Sequence, residues 1–315
     1  MKAVPHPIPY QGSKRNLAPA ILRYFAKDIN RLVEPFAGSA ALSIAAAAQG
    51  LAQRFWLNDL NRPLVDLLKQ IVEQPEALAA FYEQLWNQQQ SDSLGHYYQV
   101  RDEFNRTQDP PLFLYLLARC VKSSVRYNTC GLFNQSPDKR RQGTRPDTLR
   151  NNIHGVSGLL QGKTEFSSLD YREVLKTVEP GDLVYLDPPY QGVCGKRDAR
   201  YYSGISHAEL VDALQALNSK GILFIVSYDG RRGDNAFGEP FPESIGLTRI
   251  EIDAGRSSQS TLLGFSEVTF ESLYLSPALT EKLNAKPVAR MECSSIRATL
   301  ANYGIAEAVM AREYK

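Results

Sequence analysis

Little in this sequence points toward metal or redox chemistry. Its 315 residues include four cysteines, Cys120, Cys130, Cys194 and Cys293, with no CxxC pair among them. Their spacing fits neither a zinc site nor a disulfide framework. The four histidines, His6, His96, His154 and His207, are equally scattered, so no metal is expected. Long apolar runs are missing too. None nears the roughly 18 residues that a membrane-crossing helix needs, and the start of the chain has no hydrophobic stretch of secretory type. The expected setting is the cytosol, without a membrane partner. Internal repeats and low-complexity segments are absent. So are GxGxxG and GxxxxGK[ST], which disfavours NAD binding and P-loop hydrolysis. Neither charge sign dominates: 36 Lys and Arg face 34 Asp and Glu, for a net charge of +2. Any affinity for nucleic acid must therefore come from how charge is distributed, not from its sum.

What is present is a chain with 43% hydrophobic residues, enough for one large globular domain or two small ones. The pattern predicts a strand over 32–36, a small-residue loop at Ala37-Gly38-Ser39-Ala40, and a helix from Ala41 to Gln49 closed by Gly50. A second strand over 54–57 ends at Asn58-Asp59, and a helix from Pro63 to Val72 follows. This β-α-β-α opening argues for a doubly wound, mostly parallel α/β sheet. Residues 73–164 read differently: helices over 77–89 and 112–123, then a loop rich in Asn, Gly, Pro and basic residues. The α/β pattern resumes with a short strand at 164–166 and another at 182–186. A capping box, Ser206 with Glu209, opens a helix to Asn218. A strand over 222–227 and an antiparallel pair near 247–252 and 267–275 close the sheet. Residues 1–72 and 165–276 are thus expected to form one domain, with a mainly helical domain inserted at 73–164. The tail at 277–315 is expected to be helical, with no role assigned.

The strand–glycine loop–helix unit can bring backbone N–H groups and a helix N-terminus to a ligand. About twenty residues on, Asp59 stands where dinucleotide folds place the acid that binds ribose hydroxyls. Together they indicate an adenosine-containing cofactor or, equally, a well-packed turn.

The sharper feature is Asp187-Pro188-Pro189-Tyr190, directly after an apolar strand. Two consecutive prolines fix φ and remove two backbone donors, which makes a rigid turn. The amino group of a nucleobase is a poor nucleophile because its lone pair is delocalised into the ring. A carboxylate (Asp187) and a carbonyl (Pro188) can accept its two hydrogens, and Tyr190 can stack on the ring. Such a base must first leave the duplex. The transfer itself needs positioning and electrostatics, not a metal or a covalent intermediate.

These residues, in this order, resemble the Dam-type (alpha, D12) class of bacterial and phage DNA adenine methyltransferases, over roughly residues 7 to 276. Tyr10-Gln11-Gly12-Ser13-Lys14 is similar to that family's aromatic-x-G-x-K motif, which implies cofactor contacts at Tyr10 and Lys14. Glu34-Pro35-Phe36-Ala37-Gly38-Ser39-Ala40 resembles its EPF-x-G-x-G loop, with Ala40 in place of the last glycine. This carries Glu34, Pro35, Phe36, Gly38 and Ser39 over as cofactor residues. Asn58-Asp59-Leu60-Asn61 matches the acidic ribose-binding turn, and Phe166 to Asp170 lies where relatives contact the cofactor adenine. Asp187 to Tyr190 matches the catalytic motif, with Asp187 also beside the cofactor. The resemblance therefore implies S-adenosylmethionine as cofactor and double-stranded DNA as partner. The cofactor loop precedes the catalytic motif by about 150 residues, as in the alpha arrangement, leaving room for an inserted recognition domain.

The basic stretch gains meaning from the same resemblance. Between Arg119 and Arg150 eight Lys/Arg face two acids. Within it Arg126 to Asn134 resembles the family's R-Y-N-x-x-G-x-F-N run. That run implies a guanine-reading Arg126 and backbone contacts from Asn128 and Asn134. Lys139, Arg140 and Arg141 are candidate phosphate contacts. Val121 to Val125 lacks the aromatic wedge of some relatives, so no recognition sequence is inferred. Gly255-Arg256-Ser257-Ser258 resembles a loop before the final hairpin. Two other readings stay open: amino methylation of RNA or of a protein glutamine, and a DNA-binding protein that has lost catalysis. A cytosine C5 enzyme is disfavoured because Cys194 follows Val193, not a proline. A monomer or weak dimer is expected, with a cognate restriction endonuclease as a further partner or a solitary role.

Overall fold

The computed structural model describes residues 3–189, 205–232, 235–237, 239–256 and 268–285. Residues 1–280 form one compact unit and residues 281–315 a second.

A short helix, α1 (Ala18–Ile21), precedes β1 (Ile29–Glu34), α2 (Ala41–Ala48), β2 (Ala52–Asn58) and α3 (Arg62–Glu73). Four helices follow without a strand: α4 (Pro75–Gln88), α5 (Ser93–Thr107), α6 (Pro110–Arg119) and α7 (Pro146–Leu160). The sheet then resumes with β3 (Thr164–Ser167), α8 (Tyr171–Lys176), β4 (Asp182–Leu186), α9 (His207–Ser219), β5 (Leu223–Arg232) and β6 (Asn235–Phe237). It ends with β7 (Thr248–Arg256), β8 (Val268–Leu275) and α10 (Pro277–Asn284). Strand order is β3-β2-β1-β4-β5-β8-β7, with β6 paired to β5. Strands β1 to β5 run parallel, and β8 and β7 are antiparallel. This is the expected mostly parallel α/β sheet.

The central strands are apolar because both faces are covered: β4 (Asp182-Leu183-Val184-Tyr185-Leu186) is buried along its whole length. Val33, Val184, Val174, Leu175, Leu210, Leu214 and Phe224 share one core with α8 and α9. On the other side of the fold α7 packs against α2, α3 and α4, and α6 against α3, α4 and α5. The helical segment is thereby seated on α3.

The sequence pattern misses two helices here. Helix α5 buries Tyr97, Val100 and Phe104, and Asp92 caps it by accepting the Gly95 N–H. Its polar composition hides that periodicity. Helix α7 starts at Pro146 and buries Leu149, Ile153, Val156 and Leu160 at helical spacing, but its own Gly155 and Gly158 argue against a helix. Gly155 is needed there, since a Cβ would come within 2.9 Å of Pro5. The helix expected over 112–123 stops at Arg119, because Cys120 turns extended at ψ 160°, and Lys122 and Ser123, at φ of 59° and 50°, could not resume it. Strand β1 begins three residues earlier than expected and ends before Pro35, which cannot donate to the ladder. The capping box forms as read, with Glu209 N–H donating to Ser206 Oγ at 3.1 Å. The tail beyond Ala285 lies outside the described residues.

Candidate active site

Strand order reverses at β1: the chain passes from β1 outward to β2 and returns on the other side as β4. Ligands in open α/β sheets bind outside the carboxyl ends of the strands at such a point. A crevice of about 570 Å³ lies there. Pro35, Phe36 and Gly38 line it from the end of β1, Asp59 and Leu60 from β2, Leu169 and Asp170 from β3, and Asp187, Pro188 and Pro189 from β4. Tyr10, Gly12 and Lys14 reach it from the N-terminal segment, and Ser124, Val125 and Tyr127 from the segment after α6.

The loop after β1 is held by carboxylates. Gly38 N–H and Asn61 N–H donate to the two oxygens of Asp59, each at 2.9 Å. Burial raises the Asp59 pKa, and the two backbone donors oppose that rise. Gly38 has φ +52°, and a Cβ there would meet the Tyr10 ring at 3.3 Å, so loop and ring are in close contact. Ala40 has φ 53° and is fully buried; this is the position where glycine would carry no strain.

At the end of β4, Lys14 Nζ stands 2.9 Å from Asp187 Oδ1 and 2.8 Å from Glu271 Oε1. Ser227 Oγ donates to the same Glu271 oxygen. Asp187 and Lys14, 173 positions apart in sequence, form one ion pair. Tyr190 and Cys194 lie outside the described residues, as do Ser257 and Ser258.

Not every expected cofactor residue faces the crevice. Glu34 is buried and accepts the Ser43 N–H at 2.8 Å, in the first turn of α2. There it satisfies a helix donor. Burial pushes its pKa up to about 7, and nearby Asp187 adds to the rise. Ser39 Oγ donates to Ser13 Oγ at 3.0 Å, tying the two glycine-containing loops together. Phe166 sits on β3, paired with Leu57, away from the lining. Asp170 does line the crevice. It caps α8 and holds Arg172 through both oxygens, and Arg172 keeps its carboxyl below the usual range.

Sequence reasoning passed over Asn58 as a side chain with a role. It is fully buried. Its amide donates to the carbonyls of Pro35 and Leu169, and its oxygen accepts from Ser167 Oγ and Leu169 N–H, all within 2.9 Å. All four hydrogen-bonding positions of the amide are filled. The loop ends after β1 and β3 are thus pinned to one side chain at the end of β2. Glu271 was missed as well, since a lone acid in a strand near the end of the chain carries no local signal.

The basic segment divides on inspection. Arg119 is 1% exposed and donates to Ser93 Oγ and to the Asp138 carbonyl, so it belongs to the interior. Arg150 pairs with Glu76 and Glu83. Arg126, Lys139, Arg140 and Arg141 are exposed, with Arg141 3.5 Å from Asp138. The Arg126–Asn134 run folds as a small hairpin, with Tyr127 bridged to Phe133 and Asn134 N–H donating to the Arg126 carbonyl. Asn128 Oδ1 accepts the N–H groups of Cys130 and Leu132 at 2.9 Å, so this side chain shapes the turn. Asn134 is exposed. Tyr127 OH donates to Asn61 Oδ1 at 3.1 Å, which joins the hairpin to the Asp59 turn.

A mostly parallel α/β sheet with a crevice at its switch point and an aspartate-proline-proline turn on its rim defines the class: an α/β protein with a ligand site at the carboxyl ends of its strands. Comparison with known proteins narrows this. The family model described as D12 class N6 adenine-specific DNA methyltransferase matches residues 10–256, and the chain belongs to that family of adenine-specific DNA methyltransferases. It is 25% identical over 269 residues to the Type II methyltransferase M1.LlaDCHI of Lactococcus lactis subsp. cremoris, covering 81% of this chain and 90% of that protein. It is 26% identical to the DNA N-6-adenine-methyltransferase of Escherichia phage P1, covering 70% of this chain and 29% of that protein. To the Retron Ec67 DNA adenine methylase of Escherichia coli it is 29% identical, covering 62% and 68%. Among the described residues no helix is long and apolar enough to cross a membrane.

Proposed function

We propose that this chain methylates the exocyclic N6 of an adenine extruded from double-stranded DNA at a specific short site, with S-adenosylmethionine as donor. The observation that carries this reading is the shared crevice: Asp187, the Gly38 loop and Asp59 open onto one space. Bound there, S-adenosylmethionine supplies an activated methyl group. The chain's residues suit such a group. Backbone of the Gly38 loop, acidic Asp59 and the Phe36 ring offer polar and apolar contacts to an adenosine moiety. In this reading Tyr10, Pro35 and Asp170 complete the cofactor side. Asp187 and the Pro188 carbonyl accept the two hydrogens of the target amino group, which frees its lone pair for an in-line attack. After transfer the nitrogen loses one proton, and Asp187 is the ionisable acceptor in the motif. Tyr190 stacks on the extruded base. Pre-organised acceptors of this kind stabilise developing positive charge without reorganising during the reaction.

Residues 73–164 serve as the recognition domain in this reading. Arg126 reads a guanine edge, Asn134 contacts the backbone, and Lys139, Arg140 and Arg141 contact phosphates. Asn128 contributes by shaping the hairpin that presents Arg126. The protein acts as a monomer or weak dimer, either beside a cognate endonuclease or alone.

The test is transfer of labelled methyl from S-adenosylmethionine to unmethylated genomic DNA, with base analysis and sequencing of the modified positions. The expected result is N6-methyladenine in one short recurring motif. Label in RNA or protein but not in DNA would replace this reading with the other amino acceptors.

A further inference from the structure

Lys14 is claimed by two acids, and only one of them belongs to the catalytic motif. Glu271 lies on β8, an antiparallel strand in the final third of the sheet, and its register partner is Gly230 on β5. Beside this pair the ladder slips between Tyr228 and Gly230, where Asp229 takes φ 49°. Gly230 permits the close approach, since a Cβ there would stand 2.6 Å from the Phe270 carbonyl oxygen. The bulge thus sets Ser227 and Glu271 side by side. The Glu271 side chain is 12% exposed, and one of its oxygens receives both Ser227 Oγ and the Lys14 ammonium. A carboxylate so buried is costly unless paired and hydrogen-bonded. Here both conditions are met, and the pairing points at the crevice.

The consequence concerns Asp187. An ammonium shared between two carboxylates screens each of them only in part. With Glu271 neutral, Lys14 would lose an acidic partner and shift its charge toward Asp187. Asp187 would then be a weaker acceptor for the hydrogens of an amino group. We propose that Glu271 is a positioning residue for methyl transfer: it draws the Lys14 ammonium toward β8, fixes it at the crevice wall, and leaves Asp187 accepting capacity for the target amine. The proposal rests on the reading of the crevice as the transfer site.

Two measurements test it. The first follows the Lys14 ammonium by heteronuclear NMR titration in the ligand-free protein, comparing wild type with E271Q. Loss of an acidic partner should lower the Lys14 midpoint by about one unit. The second is single-turnover methylation of DNA. E271Q should slow the chemical step about 10- to 100-fold, while the dissociation constants for S-adenosylmethionine and DNA change less than about threefold. The pH dependence of the rate should move with the Lys14 midpoint, which a merely structural role would not produce. S227A, which removes the hydroxyl but keeps the acid, should give a smaller change of the same sign in both readouts, and it carries the test if E271Q does not fold. An unmoved Lys14 midpoint together with wild-type single-turnover rates in a folded variant would overturn the proposal. If the wild type itself puts no methyl into DNA, the reading of the site fails, and the titration still decides where Glu271 holds Lys14.

Discussion

The crevice and the basic segment hold their charges in opposite ways. In and behind the crevice the acids are committed in advance. Asp59 accepts two backbone N–H groups, Glu34 one, and Asp187 and Glu271 grip Lys14. In the basic segment the backbone and the buried Arg119 are committed, and several other cations stand exposed. Gln89 donates to the Gln142 carbonyl, Tyr82 to that of Thr144, and buried Arg119 to that of Asp138, while Arg126, Lys139 and Arg140 extend into solvent. In the proposed reading the contrast follows from two tasks. Chemistry needs groups already oriented before the reaction. Binding a polyanion needs long cations that can settle on phosphates and release counterions.

Disabling the pre-set side should cost most. Asp187→Ala is expected to lower the transfer rate by about 10³-fold or more while circular dichroism and much of the DNA affinity stay unchanged. Turnover near wild type would remove Asp187 from the chemistry. Asn58→Ala strands buried partners on two loops and should destabilise the fold by roughly 3 kcal/mol in urea denaturation. A loss under about 1 kcal/mol would mean that water takes over those bonds.

Glu34 provides a pH test of the same side. Its folded pKa, pushed up to about 7 by burial, lies above the ordinary glutamate value of 4.5. A carboxyl that binds its proton more tightly when folded favours the folded state at low pH. Stability from this group should therefore be full below about pH 4.5 and decline as pH rises to about 7, by roughly 3 kcal/mol at most. Glu34→Gln should flatten that slope, measured as denaturation midpoints against pH. An unchanged slope would assign it to another group.

The adaptable side should respond more gently. Arg126→Ala is expected to weaken discrimination at one base pair by about 1–3 kcal/mol. Replacing Lys139, Arg140 and Arg141 together by Ala should instead weaken binding to all sequences alike and flatten its salt dependence. Equal losses on specific and random DNA for Arg126→Ala would make it a phosphate contact.

Much of the sheet could be read directly. The periodic and apolar signals at β4, α2, α3 and α9 are strong, and their caps agree with them: Gly50 at φ +66° after α2, and Ser206 with Glu209 before α9. The helical segment was harder. Helix α5 hides a buried stripe under polar residues, and α7 carries two glycines, one of which exists for contact with Pro5. Local propensity cannot register a contact with residues some 150 positions away.

The candidate site divides along the same line. Motifs are local, so the Gly38 loop, Asp59 and the Asp187 turn are visible as short patterns on strand ends. Side-chain partners are not local. Only folding shows that Glu34 serves the first turn of α2, that Asn128 builds its own turn, and that Arg119 is interior. Sequence alone determined the parallel sheet, the family, and the identity of the residues at its strand ends, because backbone periodicity and turn chemistry act within a few positions. The tertiary structure decided which of those residues meet. Lys14, Asp187 and Glu271 converge because β4, β5 and β8 are neighbours in the sheet, and that neighbourhood arises from burying apolar strands between two layers of helices, which no short stretch of sequence records.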